Sequence, residues 1–211
     1  MKDKTVQTVS EIEKILSKRK PGAVGRFQQF AVLIPMVETE RGIEILFEQR
    51  SAGLHRQPGE ICFPGGQQEP GETPLMCALR ETCEELSIDR VHIGTVTKVQ
   101  TLYTRGFLIS CYAAKVDIDE MEPSSDEVAE VFTVPLRYFM NNRPEVLYME
   151  YGPKDDTDFP YEKIGMEKGK TYNWHQDIHE IPIYTYQNHI IWGMTGRMMQ
   201  GFVAILKEAE V

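Results

Sequence analysis

Basic charge, paired cysteines and long apolar runs are all scarce in this chain, and each scarcity excludes something. Lys and Arg number 23 against 32 Asp and Glu, a net charge of −9, so a sequence-independent grip on nucleic acid is disfavoured. No apolar run approaches the roughly 18 residues of a membrane-spanning helix. The four cysteines (Cys62, Cys77, Cys83 and Cys111) show no CxxC spacing. That argues against a zinc site and for reduced thiols in a cytoplasmic protein. The opening residues, MKDKTVQTVSEIEKILSKRK, lack the apolar region of a secretory signal, so none is expected. There is no internal repeat and no low-complexity segment. What is present is 211 residues with 41% hydrophobic content, enough for one domain with a sizeable core plus appendages.

The most informative stretch is GQQEPGETPLMCALRETCEELSI, Gly66 to Ile88. Thr73 is placed to cap a helix, with Pro74 at its first position, where a missing N–H costs nothing. Leu75, Leu79, Thr82 and Leu86 then recur at helical intervals as the apolar face. Glu81, Glu84 and Glu85 share a different face. Carboxylates this close repel by a few tenths of a kcal/mol per pair, roughly, and a merely solvated helix would intersperse lysines. The pattern asks for a cation over that face, and hard oxygen ligands suit Mg²⁺ or Mn²⁺.

These residues resemble the signature of the Nudix hydrolases. That signature runs Gly, five residues, Glu, seven residues, Arg-Glu, an apolar residue, any residue, Glu-Glu, any residue, Gly, an apolar residue. Here it reads Gly66, Glu72, Arg80, Glu81, Thr82, Cys83, Glu84, Glu85, Leu86, Ser87, Ile88. Thr82 stands for an aliphatic residue. Ser87 stands for the glycine just past the helix, where a left-handed residue is cheapest. The resemblance implies an α/β fold, a Nudix-type α/β/α sandwich around a mixed β-sheet, with the acidic helix beside the site. It further implies metal ligation by Glu81, Glu84, Glu85 and the Gly66 carbonyl. Arg80 would orient the carboxylates and Glu72 would pair with it.

Upstream, Gln29–Met36 and Ile43–Arg50 read as strands joined by a turn. The segment from Arg50 to Gly66 is glycine-rich and basic before it turns acidic. It can bring Arg50, His55 and Arg56 toward phosphate oxygens. It is similar to an element of a coenzyme A-cleaving Nudix subgroup: Leu-Leu-Thr-x-Arg-Ser, Leu-Arg-x-His-x-Gly-Gln, Phe-Pro-Gly-Gly. Arg50, Ser51, Leu54, Gly59 and Phe63–Gly66 are kept, while His55, Gln57 and Glu60 replace Arg, His and Gln.

Downstream, residues 91–102 and 107–118 are β-rich, with His92 facing outward. Arg105, in the turn between them, is either a phosphate or ribose contact or a solvated turn residue. Val128–Pro135 reads as a strand and Leu136–Asn141 as a short helix. The run from Glu127 to Leu136 resembles a late Nudix strand, which brings Glu127 toward the metal, with Glu130 as fallback. Residues 142–181 suggest a β extension or insertion. His175 and His179 are four apart, but their neighbours do not favour a helix and no metal is assigned there. Residues 190–206 read as a long helix with Ile191, Met194, Met198, Phe202 and Ile205 on its packed face. Tyr184, Ile191, Trp192, Gly193, Thr195 and Arg197 resemble the C-terminal pattern of the same subgroup. Near the N-terminus, residues 8–19 form an amphipathic helix that packs on the domain or serves a homodimer contact.

The expected organisation is a helical extension at 1–25 and the hydrolase domain at 26–211. The expected activity is metal-dependent hydrolysis of a pyrophosphate bond in a small-molecule nucleoside diphosphate derivative, with no nucleic-acid or membrane partner. Divalent ions screen the phosphate charges, activate water and stabilise the leaving group. The subgroup resemblance implies coenzyme A or a derivative, cut to 3′,5′-ADP and a phosphopantetheine fragment. ADP-ribose or a dinucleoside polyphosphate is the alternative. A non-catalytic nucleotide-binding module is disfavoured, because all the signature glutamates are present.

Overall fold

The computed structural model describes residues 8–19, 24–104, 106–119, 121–151, 163, 165 and 177–209. The apolar runs predicted as strands pair into one mixed sheet. Strand β1 (Gln28–Thr39) meets β2 (Gly42–Arg50) antiparallel across a tight turn, in the register Thr39↔Gly42. On its other edge β1 runs parallel to β6 (Phe107–Lys115), from Gln28↔Phe107 to Met36↔Lys115. Strand β5 (Thr97–Thr104) closes that side. Strand β7 (Val128–Pro135) lies antiparallel along β2.

The pairing of β1 with β2 covers only Met36–Thr39. Beyond it, β4 (Gly65–Gln67) takes the edge of β1 at Phe30–Val32, and β3 (Ile61–Cys62) takes that of β2 at Glu48–Gln49. The two central strands therefore splay, and the loop between β3 and β4 crosses the mouth they leave.

Strand alternation divides the core between the two faces of the sheet. Ala31, Leu33, Leu46, Tyr112 and Ala114 face helix α2 (Pro74–Leu86), whose Cys77, Ala78 and Leu86 join the same cluster. Val32, Ile34, Ile45, Phe47 and Cys111 face the other way. There they pack with Phe139 of α3 (Leu136–Asn141) and Met198, Met199, Phe202 and Val203 of α4 (Gly193–Glu208). Helices on both faces of a mixed sheet make the expected α/β/α sandwich. A second, three-stranded sheet pairs β8 (Glu145–Tyr151), β9 (Asp177–Tyr186) and β10 (His189–Ile191).

Several expectations need correction. Residues 189–191 are a strand, and α4 starts only at Gly193 (φ 63°). Ile191 therefore packs from the sheet, while Ile205 is exposed. His92 lies in a 3₁₀ turn, Arg90–His92, with Nδ1 3.9 Å from Asp117, rather than in a strand. His179 lies in β9 with Nε2 3.2 Å from Asp177; His175 falls outside the described residues, as does Arg105. Helix α1 (Val9–Leu16) is capped by Thr8 through a reciprocal pair of hydrogen bonds with Glu11, and none of its residues is buried.

Candidate active site

Helix α2 carries the site, and its ends are defined by local chemistry. Thr73 Oγ1 accepts from the Met76 N–H at 3.2 Å, and Pro74 is the first helical residue. At the other end Ser87 takes the left-handed conformation (φ 50°) that the signature normally gives to glycine. The buried face differs from the one read in the periodicity. It consists of Cys77, Ala78, Thr82, Glu85 and Leu86, while Leu75 is 37% exposed. The small Cys77 and Ala78 pack with Ala31 and Leu33 of β1, and this orientation turns Glu85 inward. Thr82 is accommodated in the core by donating its hydroxyl to the Ala78 carbonyl at 2.6 Å.

Arg80 organises the outer carboxylates. Its Nε donates to Glu72 Oε1 at 2.9 Å, its Nη2 stands 2.9 Å from Glu81 Oε1, and its Nη1 donates to Glu84 Oε2 at 3.0 Å. The Arg80 guanidinium holds the Glu72 carboxyl below its ordinary range, helped by the Glu69 N–H. Burial pushes the Glu81 carboxyl up, against the pull of Arg80. Glu84 is 59% exposed.

Deeper in, two carboxylates share a confined space. Glu85 is 3% exposed and accepts the Gly65 N–H at 2.8 Å. Burial, then the neighbouring Glu48, pushes its carboxyl up to about 9. Glu48 on β2 is 1% exposed, and burial pushes it up to about 7. The Cys62 thiol donates to Glu48 Oε1 at 3.3 Å, while Glu48 Oε2 has no partner. Glu48 was not singled out from the sequence. Its signal is a charged residue in register with Leu46, on the inward side of a buried strand.

The donor set suits a hard divalent cation: carboxylates throughout, one of them with an open buried oxygen. Gly66 fits the same purpose, since a Cβ there would collide with the Glu81 carboxylate. The Gly66 carbonyl accepts from the Cys77 thiol at 3.4 Å. Among the described residues, no three acidic, histidine or cysteine side chains stand close enough to clasp an ion as placed. Arg80 engages Glu81 through Oε1 and Glu84 through Oε2, which leaves the second oxygen of each carboxylate outside these ion pairs.

A cavity of about 700 Å³ opens at the splayed strands. Gly66, Glu81, Glu85, Glu127, Arg50 and Arg56 all line it, so most of the sequence-derived candidates meet there. Phe30, Phe107, Ile109, Met194 and Met198 form an apolar wall, which individual sequence positions did not announce. Gln57 and Glu60 also line it and are hydrogen-bonded to each other at 2.8 Å. His55 is exposed and not on the wall. Glu130, the fallback for Glu127, faces a second cavity and stands 3.3 Å from His189. Arg50 Nε donates to the Arg56 carbonyl at 3.4 Å, which ties the basic loop to the strand end.

The site is thus an arginine-anchored acidic helix that brings Glu81 and Glu85 to a cavity on one face of the sandwich. The chain belongs to the Nudix family: the NUDIX domain matches residues 27–148. The family's enzymes use divalent metal ions. The chain is 34% identical over 134 residues to the peroxisomal coenzyme A diphosphatase NUDT7 of Mus musculus, a match covering 62% of this chain and 56% of that protein. It thus spans just over half the mouse protein's length. It is 26% identical over 224 residues to Nudix hydrolase 3 of Caenorhabditis elegans, covering 97% of this chain and 85% of the relative. Solved structures similar to it include a MutT/nudix family protein from Enterococcus faecalis, with TM-score 0.49, 12% identity, and coverage of 95% of this chain and 70% of that one. Another is a C. elegans Ap4A hydrolase, with TM-score 0.45, 23% identity, and coverage of 54% and 84%. Among the described residues no helix is long and apolar enough to cross a membrane.

Proposed function

We propose that this enzyme hydrolyses the pyrophosphate bond of coenzyme A or a derivative, releasing 3′,5′-ADP and a phosphopantetheine fragment, with Mg²⁺ or Mn²⁺ as the cation. The observation that carries the reading is that one cavity joins three chemistries. Glu81, Glu85 and Glu127 supply the acidic floor, Arg50 and Arg56 supply cations for phosphate oxygens, and the Phe30–Phe107–Met194–Met198 wall supplies apolar surface. Coenzyme A can use all three, because its diphosphate separates a phosphorylated nucleoside from a long pantetheine arm whose methyl and methylene groups alternate with amides. A volume near 700 Å³ lies within the range of about 300–1,000 Å³ typical of small-molecule sites. The likeness to the mouse coenzyme A diphosphatase supports the same choice.

In this reading Glu81, Glu84 and Glu85 hold the cation, with the Gly66 carbonyl. When bound, the ion screens the phosphate charges and lowers the pKa of water. Arg80 orients Glu81 and Glu84 and is itself fixed by Glu72. Arg50 and Arg56 draw the diphosphate toward the acidic floor and neutralise its outer oxygens. Glu127, which comes from the loop before β7 and stands outside the Arg80 network, is our choice for the proton acceptor. Residues 26–211 constitute the hydrolase domain in this scheme and 1–25 an extension. The four free cysteines suit a reducing compartment such as the cytoplasm.

A hydrolysis panel with Mg²⁺ and with Mn²⁺ tests the substrate. Coenzyme A should turn over with a higher kcat/KM than ADP-ribose or a dinucleoside polyphosphate, yielding 3′,5′-ADP. Turnover of ADP-ribose with coenzyme A inert would overturn the choice.

A further inference from the structure

Two glutamates on β2 are almost completely buried, and they differ in one respect. Glu44 and Glu48 are each 1% exposed and sit on the same face of the strand, four residues apart. Glu44 has both oxygens engaged: Oε1 stands 3.0 Å from Arg41 Nη2, and Oε2 accepts from the Thr133 hydroxyl. Glu48 has one weak donor, the Cys62 thiol, and its Oε2 is left without a partner. A buried carboxylate oxygen with no hydrogen bond is costly and is ordinarily eliminated. Glu44 shows that this strand can satisfy such a group where its role is structural.

The surroundings of Glu48 give its open oxygen a purpose. It lies opposite Cys62 across the β2–β3 pair, and Cys62 lines the cavity with Glu85 and Glu81. Glu127 and Glu81 act on it electrostatically as like charges and Arg50 as an opposite one, and Glu48 in turn acts as a like charge on Glu85. Nothing among these groups donates to Oε2, and three of them repel it. A structural carboxylate would be placed beside a donor, whereas one kept open among carboxylates is suited to a cation.

We propose that Glu48 is an additional ligand of the divalent cation, supplied by the sheet rather than by the acidic helix, so that strand β2 and helix α2 hold the ion together. The inference rests on the metal-dependent reading above and adds to it a ligand outside the helix–loop signature. It also gives the splay of β1 from β2 a function: the gap lets a residue of β2 share the site.

The test measures Mn²⁺ binding to the full chain without substrate, by electron paramagnetic resonance titration, alongside melting temperatures in EDTA and in Mn²⁺. Glu48→Gln and Glu48→Thr remove the charge; the second is β-branched and suits a strand. Both should bind Mn²⁺ at least tenfold more weakly. Both should melt higher than the wild type in EDTA, because a like charge is gone, and should gain less from Mn²⁺. Glu44→Gln should do the reverse, losing stability with unchanged Mn²⁺ affinity. Wild-type Mn²⁺ affinity in a folded Glu48 variant overturns the proposal. So does a lower melting temperature in EDTA, or failure of both variants to fold, because either outcome makes the carboxylate structural. A wild type that binds Mn²⁺ through Glu48 yet cleaves no pyrophosphate would sink the functional reading and leave this one standing.

Discussion

In the absence of metal the enzyme should lose stability as pH rises from 5 to 7, opposite to the usual behaviour of salt-bridged carboxylates. The Glu48 and Glu85 carboxyls are pushed from 4.5 to about 7 and about 9, both chiefly by burial, with Glu48 adding to the rise of Glu85. In that window the folded chain retains protons that the unfolded chain has released. The stability they contribute is complete below pH 4.5 and is lost as pH climbs through the folded values. One retained proton gives a slope of about 1.4 kcal/mol per pH unit, hence about 3 kcal/mol between pH 5 and 7. Two retained protons would double that. Against a typical total of roughly 5–15 kcal/mol, this is a large effect. With a urea m-value of about 2–3 kcal/mol/M, the midpoint should fall by roughly 1 M. Glu72, held below its ordinary range, has the opposite sign but acts only at more acidic pH. Urea unfolding in EDTA at pH 5, 6 and 7, followed by circular dichroism, is the assay. A midpoint that is flat or rises with pH would refute the assignment of these two groups. Saturating Mn²⁺ should reverse the slope, because the ion competes with those protons.

Other perturbations report on separate parts of the site. Glu84→Gln should lower turnover by several powers of ten with an unchanged circular dichroism spectrum, since Glu84 is exposed and contributes little to packing. Gly66→Ala places a Cβ against the Glu81 carboxylate; kcat should fall by about 10–100-fold, the loss typical of displaced ligand support, with a small change in melting temperature. Ser87→Gly relieves a left-handed non-glycine residue and should stabilise by about 1 kcal/mol, read as a melting temperature about 2–4 °C higher.

Those features that depend on local chemistry were legible in the sequence. Thr73 and Pro74 announced the start of α2, β1 and β2 followed from their apolar runs, and the Val128–Pro135 strand with its following helix lies as expected. The long-range part was not. The apolar side of α2 was misread because Cys77 and Ala78 carry little hydrophobic signal yet permit close approach to β1, whereas the larger Leu75 is exposed. Ile190–Trp192 looked helical because a β-strand feeding directly into α4 shares its apolar composition, and only pairing with β9 distinguishes them. Glu48 escaped because one glutamate in a strand has no spacing to betray it. Its meaning comes from Cys62 and Glu85, which reach it only through tertiary pairing. The apolar cavity wall draws on β1, β6 and α4 and has no contiguous motif.

The pairing of β1 with β6, and of β2 with β7, joins segments far apart along the chain. Closures of this length are slow. Glu48 lies on β2, Glu85 on α2 and Glu127 just before β7, so their charges are confined together only once α2 has packed on the sheet and β7 has closed on β2. Their mutual repulsion therefore burdens the native state more than the transition state. Metal should then act as a brake: Mn²⁺ should slow unfolding severalfold and scarcely alter the refolding rate. On this expectation the cation would set the lifetime of the folded chain rather than the speed at which it forms.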